Sequence, residues 1–349
     1  MDNIFFNAHH SPIGAFASFT LGFPGAKGGL GLELGKPADE SVFIGIEGEQ
    51  SGLLEALPFF AAAEDERARY DVEKADDDDA VRTRLAAFER GEVTRAFKLA
   101  SDTWRAGDLT FTIYSPVRRA PDPDAAGAEE MKSVIVPAVI AELTVDNTSG
   151  HSDRRAFFGY QGSDAYTRMR RLDDVSEGRF AGVGQGRHAA IVSADEGVAS
   201  GLGFSLEDVV APPIEANRVF GLGPVGALVG VVPGGEVRTF RFAVCFYRGG
   251  PVTAGIDASY FYTRYFENIE QVAEYALSHF DELKGHAEAA DASLDEYPLS
   301  DDQKFMFAHT VHSYYGSTEF LDWEGRPFWC VNEGEYRMMN TFDLTVDML

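Results

Sequence analysis

Three carboxylates, Glu333, Glu335 and Asp343, stand within eleven residues of one another, interleaved with Asn332, Arg337 and Asn340. Carboxylates set among an arginine and amides are the groups that nucleophilic and acid–base chemistry uses. Were Glu333 and Glu335 to share a face, their charges would repel and raise one pKa. The economical arrangement is one buried catalytic acid, with the other paired to Arg337. Apolar flanks, Phe328-Trp-Cys-Val331 and Met338-Met339, argue against an acidic surface loop. The run 341–349 carries Phe342, Leu344, Val346 and Leu349 and could open a helix or a strand. It lacks the glycine or basic last turn that ends a helix, so the chain reads as cut short.

Other candidates carry less. His309 and His312 are spaced i, i+3 on a helix ahead of the acidic cluster, with no carboxylate at helical spacing to complete a metal set. They read as pocket wall or core, and His309 is kept as a substrate-contact candidate. His9-His10 reads as a structural pair, and Asp76–Asp79 as a solvated loop. Gly182-Val-Gly-Gln-Gly-Arg187 has the wrong spacing for a dinucleotide fingerprint and reads as a turn between strands. No Walker or HExxH sequence occurs, and neither a metal nor a cofactor is expected.

The formal charge of −26 argues against nucleic acid and against anionic membranes as partners. It fits adaptation to a salty cytoplasm, or a GC-rich genome with an ordinary solubilising surface. No apolar run approaches the roughly 18 residues of a membrane span. The N-terminus lacks a basic n-region and an apolar h-region, so a cytoplasmic location is expected. Cys245 and Cys330, far apart in apolar surroundings, read as reduced, buried thiols.

The elements that must position these residues change type along the chain. Leu109, Phe111 and Ile113 alternate with polar neighbours, the period of a half-buried strand. Val134–Val145 is a β-branched run ending in the turn Asp146-Asn-Thr-Ser-Gly150, with 155–160 as its return strand. Val225–Val232 and Val237–Tyr247 flank Pro233-Gly-Gly-Glu236 and read as a hairpin. From Ala258 to about Ala290 the apolar spacing is helical. Ser300 reads as the N-cap of a helix over 301–315, with Gly316 at its end. The expectation is a mainly β protein: a large antiparallel β-sandwich over 1–255, a helical linker over 256–299, then a helical domain begun over 300–349.

Asn332-Glu-Gly-Glu-Tyr-Arg-Met-Met-Asn-Thr-Phe-Asp343 closely resembles glycoside hydrolase family 52, the β-xylosidases. So do Phe5–Pro12, Gly14–Pro24, Gly107–Pro116 and Cys245–Gly250. The resemblance implies that the helical domain is the start of an (α/α)6 barrel. It implies retaining release of xylose from xylo-oligosaccharides, no cofactor, and a homodimer in the full-length family. It places the nucleophile on Glu333, with Glu335 as second candidate, and sugar contacts on Asp343, Asn332 and Arg337. Family members are about twice this length, and their general acid/base, an Asp, lies beyond residue 349. The expectation is therefore a chain with the attacking carboxylate and without the proton donor, inactive alone. The competing expectation is a non-catalytic β-sandwich that binds carbohydrate or protein.

Overall fold

The structure is a computed structural model that describes residues 4–33, 38–61, 83–163, 168–211, 223–252 and 255–332. Among these residues the strands form four sheets. A three-stranded sheet holds β1 (Ala8–His10), β2 (Ala17–Leu21) and β3 (Gly29–Leu32). A six-stranded sheet runs, in spatial order, β15 (Ala199–Gly203), β16 (Val225–Val232), β11 (Arg154–Gln161), β4 (Val42–Glu47), β5 (Leu53–Ala56) and β6 (Arg84–Ala87). An eight-stranded sheet runs β12 (Met169–Arg171), β13 (Ala181–Gln185), β14 (Ala189–Ser193), β17 (Val237–Phe246), β10 (Ala138–Asp146), β9 (Leu109–Tyr114), β8 (Ser101–Ala106) and β7 (Thr94–Phe97). The last sheet holds β18 (Ala258–Tyr260), β19 (Thr318–Trp323) and β20 (Arg326–Val331). Pairing is antiparallel throughout except between β5 and β6, which run parallel.

The two large sheets share one core. Phe158 of the six-stranded sheet lies 5.1 Å from Phe111 and 5.3 Å from Phe242, both of the eight-stranded sheet, ring centroid to centroid. Leu143 pairs with Phe111 on one side and Phe240 on the other, so one row of apolar side chains crosses three strands. Each such ring removes about 2–3 kcal/mol worth of apolar surface from water. The alternation read over 109–114 is the alternation of β9, with Leu109, Phe111 and Ile113 buried.

Several expectations need correction. The two strands around Pro233–Glu236 exist but are not a hairpin: β16 belongs to the six-stranded sheet and β17 to the eight-stranded one. Likewise β11 follows β10 but joins the other sheet, pairing with β16 and β4. Both strands of each pair are buried on their inner face, and the chain crosses between the sheets so that side chains meet there. Apolar periodicity reports burial, which a hairpin and a sheet-to-sheet crossing share. Val134 and Ile135 end helix α1 (Ala128–Ile135) before Pro137, whose ring disfavours helix at the preceding residue. Gly182 to Gln185 lie within β13, the turn coming after them.

The stretch 258–290 is not one helix. Ala258–Tyr260 pairs with β19, a 3-10 turn covers Phe261–Arg264, and two helices follow. After the short α2 (Asp173–Ser176) and α3 (Leu206–Val210), these are α4 (Ile269–Ser278) and α5 (Phe280–Asp295). Asn268 caps α4 by accepting the Gln271 N–H. Asp291 of α5 accepts from the Ala100 N–H at 2.7 Å and the Ser101 hydroxyl at 2.5 Å, fastening the helix to the large sheet. Helix α6 (Asp301–Gly316) starts where expected: Ser300 and Gln303 form a reciprocal capping box. Both cysteines are buried, unpaired thiols.

Candidate active site

Of the expected site residues, Glu333, Glu335, Arg337 and Asp343 lie outside the described residues, as does Asp76–Asp79. Asn332 and His309 lie within them, together with the hairpin that leads into Glu333. That hairpin is β19–β20, closed by Glu324 and Gly325, both at positive φ (52° and 81°), the geometry of a tight two-residue turn. It is not among the elements expected from sequence. Its signal was a glycine in a two-residue gap between aromatic-rich runs.

The N-terminal segment grips this hairpin. The Phe16 N–H donates to the Thr318 carbonyl (2.9 Å), and the Phe320 N–H donates to the Gly14 carbonyl (2.8 Å). The Gly14 N–H donates to the Thr318 hydroxyl (2.9 Å). Gly14 has φ +73°, and a Cβ there would fall 2.6 Å from the Phe320 Cβ. Phe16 (φ 44°) and Glu33 (φ 51°) also hold positive φ, and the Glu33 N–H donates to the Phe16 carbonyl. For residues with a Cβ this conformation costs on the order of 1–3 kcal/mol and persists only where the surroundings impose it.

Beneath the hairpin lies a buried polar layer. Glu319 is 3% exposed and accepts a bond from the Cys330 thiol at 3.3 Å. The Tyr260 hydroxyl donates to Glu33 at 3.0 Å, and Arg248 approaches the other oxygen of Glu33 at 3.5 Å. The Tyr262 oxygen accepts the Arg248 N–H, and its ring stacks on Tyr260 at 5.1 Å. Burial, then the charges of Glu319 and Glu33, raise the Tyr260 pKa, so its phenol stays a donor. Burial and Glu319 push the Cys330 thiol up, so it is no nucleophile. Asn332 is 3% exposed; its N–H donates to the Ser317 carbonyl at 2.7 Å. Its side-chain NH2 makes no hydrogen bond with the described residues. A buried amide donor held rigidly beside Glu333 in sequence suits the orientation of a carboxylate or a hydroxyl.

His309 sits elsewhere on α6. Its ring packs against Phe305 (5.7 Å), Phe6 (5.8 Å) and Phe97 (6.1 Å). Burial and then the Arg95 charge lower its pKa. Eight residues, about 12 Å of helix axis, separate it from Ser317, whose carbonyl holds Asn332.

His10, 0% exposed, lies 3.2 Å from Asp102, which also takes a bidentate contact from Arg95 at 2.6 and 2.8 Å. Burial pushes the Asp102 carboxyl up, but Arg95 and His10 outweigh it and hold it well below the usual carboxylate range. Arg95 also donates to the carbonyls of Ile4 and Phe6 and lies 3.9 Å over the Phe6 ring. The His312 ring donates to the His9 carbonyl at 2.8 Å, and His9 meets Thr20 at 2.9 Å. These histidines lock the N-terminal segment and α6 onto β7 and β8.

Glu40 is a perturbed carboxyl that sequence reasoning missed. It is 4% exposed, accepts the Leu30 N–H at 2.9 Å, and meets the Ser163 hydroxyl at 3.2 Å. Burial, opposed by those hydrogen bonds, pushes it up to about 7. Both oxygens are engaged within the fold, which fits a structural acid.

The profile of glycosyl hydrolase family 52 matches residues 19–349. A β-xylosidase of Geobacillus stearothermophilus is 58% identical over 349 residues, covering 99% of this chain and 49% of the relative. A second β-xylosidase of that organism is 46% identical over 356 residues, covering 99% of this chain and 57% of the relative. The chain thus spans about half the length of the curated relatives it matches, and it belongs to glycosyl hydrolase family 52.

Proposed function

We propose that this chain carries the nucleophile half of a retaining β-xylosidase that releases xylose from xylo-oligosaccharides. The observation that carries this reading is the 58% identity to a β-xylosidase across the whole chain, the stretch 332–343 included. In this reading the two large sheets are a β-sandwich, α4 and α5 a linker, and α6 the first helix of an (α/α)6 barrel. The protein acts in the cytoplasm, as a homodimer when full length, and needs no cofactor.

The Glu333 carboxylate attacks the anomeric carbon as the glycosidic C–O bond breaks, giving a xylosyl ester. Water then cleaves that ester, and two inversions leave the configuration retained. Asn332 and Arg337 keep Glu333 ionised, and Asp343 holds sugar hydroxyls. A second carboxyl group about 5–5.5 Å away must protonate the leaving oxygen and later deprotonate the water. It belongs to the part of the relatives that this chain does not match. Without it, hydrolysis of ordinary xylosides falls by about 10²–10⁴-fold.

A leaving group that departs unprotonated separates the two halves of the chemistry. The purified chain is incubated with 2,4-dinitrophenyl 2-deoxy-2-fluoro-β-xyloside, digested, and read by mass spectrometry. The expected product is one fluoroxylosyl group on the Glu333 peptide, absent from Glu333→Gln. A label on Glu335 moves the nucleophile; a folded chain that takes no label sinks the reading.

A further inference from the structure

The histidines that join the N-terminal segment to α6 enclose a cavity of about 10 Å³, the space that one water molecule fills. Five polar side chains line it, Ser11, Ser115, His9, His312 and Tyr315, with Val117 beside them. Two of them carry atoms with no hydrogen-bond partner among the described residues: the hydroxyl of Ser11, 2% exposed, and Nε2 of His312, 4% exposed. The opposite edge of the His312 ring fixes its tautomer. Nδ1 lies 2.8 Å from the His9 carbonyl, which can only accept, so Nδ1 carries the hydrogen. Burial keeps the ring neutral, and Nε2 is left as a bare acceptor. The Lys98 backbone borders the ring as well, but a bare nitrogen and a carbonyl oxygen are both acceptors and cannot bond each other. Ser115 meets His10 Nδ1 at 3.4 Å, a contact that uses only part of what a hydroxyl can give and take. Tyr315 is already committed to the Arg118 backbone and His9 Nδ1 to Thr20. Apolar cavities stay dry, whereas buried polar groups that converge on a water-sized space are satisfied by ordered water.

We propose that this cavity binds a single water molecule, which accepts from the Ser11 hydroxyl, donates to His312 Nε2 and turns its second hydrogen to Ser115. The water completes one chain of hydrogen bonds, from Asp102 through His10 and Ser115 to His312 and the His9 carbonyl. Strand β8, the end of β9, helix α6 and the N-terminal segment then meet at one solvent molecule. This site goes beyond the xylosidase reading and does not depend on its chemistry.

A crystal structure of the chain decides the occupant. The expected result is one solvent peak about 2.7–3.2 Å from Ser11 Oγ, Ser115 Oγ and His312 Nε2. No peak overturns the proposal, as does a Ser11 hydroxyl bonded directly to another protein group. A peak about 2.0–2.1 Å from Nε2 would be a metal ion and would overturn it too. Magnetic relaxation dispersion of the water oxygen tests the same site in solution, because it counts waters held longer than the protein takes to tumble. Val117→Ile adds one carbon at the cavity wall and alters none of the polar groups. The variant should hold one long-lived water fewer per molecule than the parent. Equal counts in the two proteins would sink the site. The crystal measurement needs no variant, so a variant that fails to fold leaves the proposal open to refutation.

Discussion

Glu40 is enclosed by Gly29, Leu30 and Ser163, and burial raises its folded pKa to about 7 from about 4.5. The neutral acid therefore stabilises the fold fully below pH 4.5, and that stabilisation is lost as the pH rises through 7. Glu40→Gln keeps an acceptor for the Leu30 N–H and cannot ionise. Its stability relative to the parent should rise by about 2 kcal/mol between pH 5 and 8.5, read from urea midpoints at the two values. A constant difference would mean that Glu40 is ionised throughout. Nothing near Glu40 in sequence announces this, because Ser163 is 123 residues away. Glu333 is the opposite case: its neighbours in sequence, Asn332 and Arg337, already mark it as a candidate. Asn332 adds what sequence cannot give, a buried side-chain amide on a backbone whose N–H is bonded to the Ser317 carbonyl.

Local chemistry was legible at several elements that it decides. The Ser300–Gln303 box starts α6, the alternation of 109–113 is β9, and Asn147 turns the chain by donating to the carbonyls of Ser152, Val232 and Pro233. What was illegible was partnership. The same apolar runs serve a hairpin or two opposed sheets, and Ala258–Tyr260 is strand because β19 returns to pair with it. The β19–β20 hairpin depends on a partner too. At Gly14, any side chain meets Phe320 while the backbone is held at positive φ. Gly14→Ala should cost about 2–4 kcal/mol, the sum of a left-handed alanine and overpacking, measured by chemical denaturation. Because the hairpin leads into Asn332, labelling of Glu333 by the fluoroxyloside should slow in the same variant at temperatures where it stays folded. A loss below about 1 kcal/mol would show that Gly14 moves freely against Phe320.

Across the whole molecule, acid should act through the histidine lock. Burial, then the His10 charge, lower His312 to about 4 from 6.5, opposed by its bond to the His9 carbonyl. A histidine depressed in the folded state contributes stability that is full above pH 6.5 and falls as the pH drops toward 4. From pH 7 to 5 the chain should lose about 2 kcal/mol through His312 alone. His312→Asn, whose amide can donate to the His9 carbonyl, should reduce that pH dependence by the same amount; an unchanged slope would relieve His312 of the role. The lock and the hairpin grip both join the start of the chain to residues past 300, and this sets a timetable. Gly14 and Thr318 are 304 residues apart. A ribosome adding about 5–20 residues per second leaves Gly14 without Thr318 for roughly 15–60 s. Throughout that interval Phe16 has neither the Thr318 carbonyl nor the hairpin to hold its strained turn. Strands β1 to β3 are thus among the last to be secured, and a nascent chain stalled before residue 318 should expose them to proteases and chaperones.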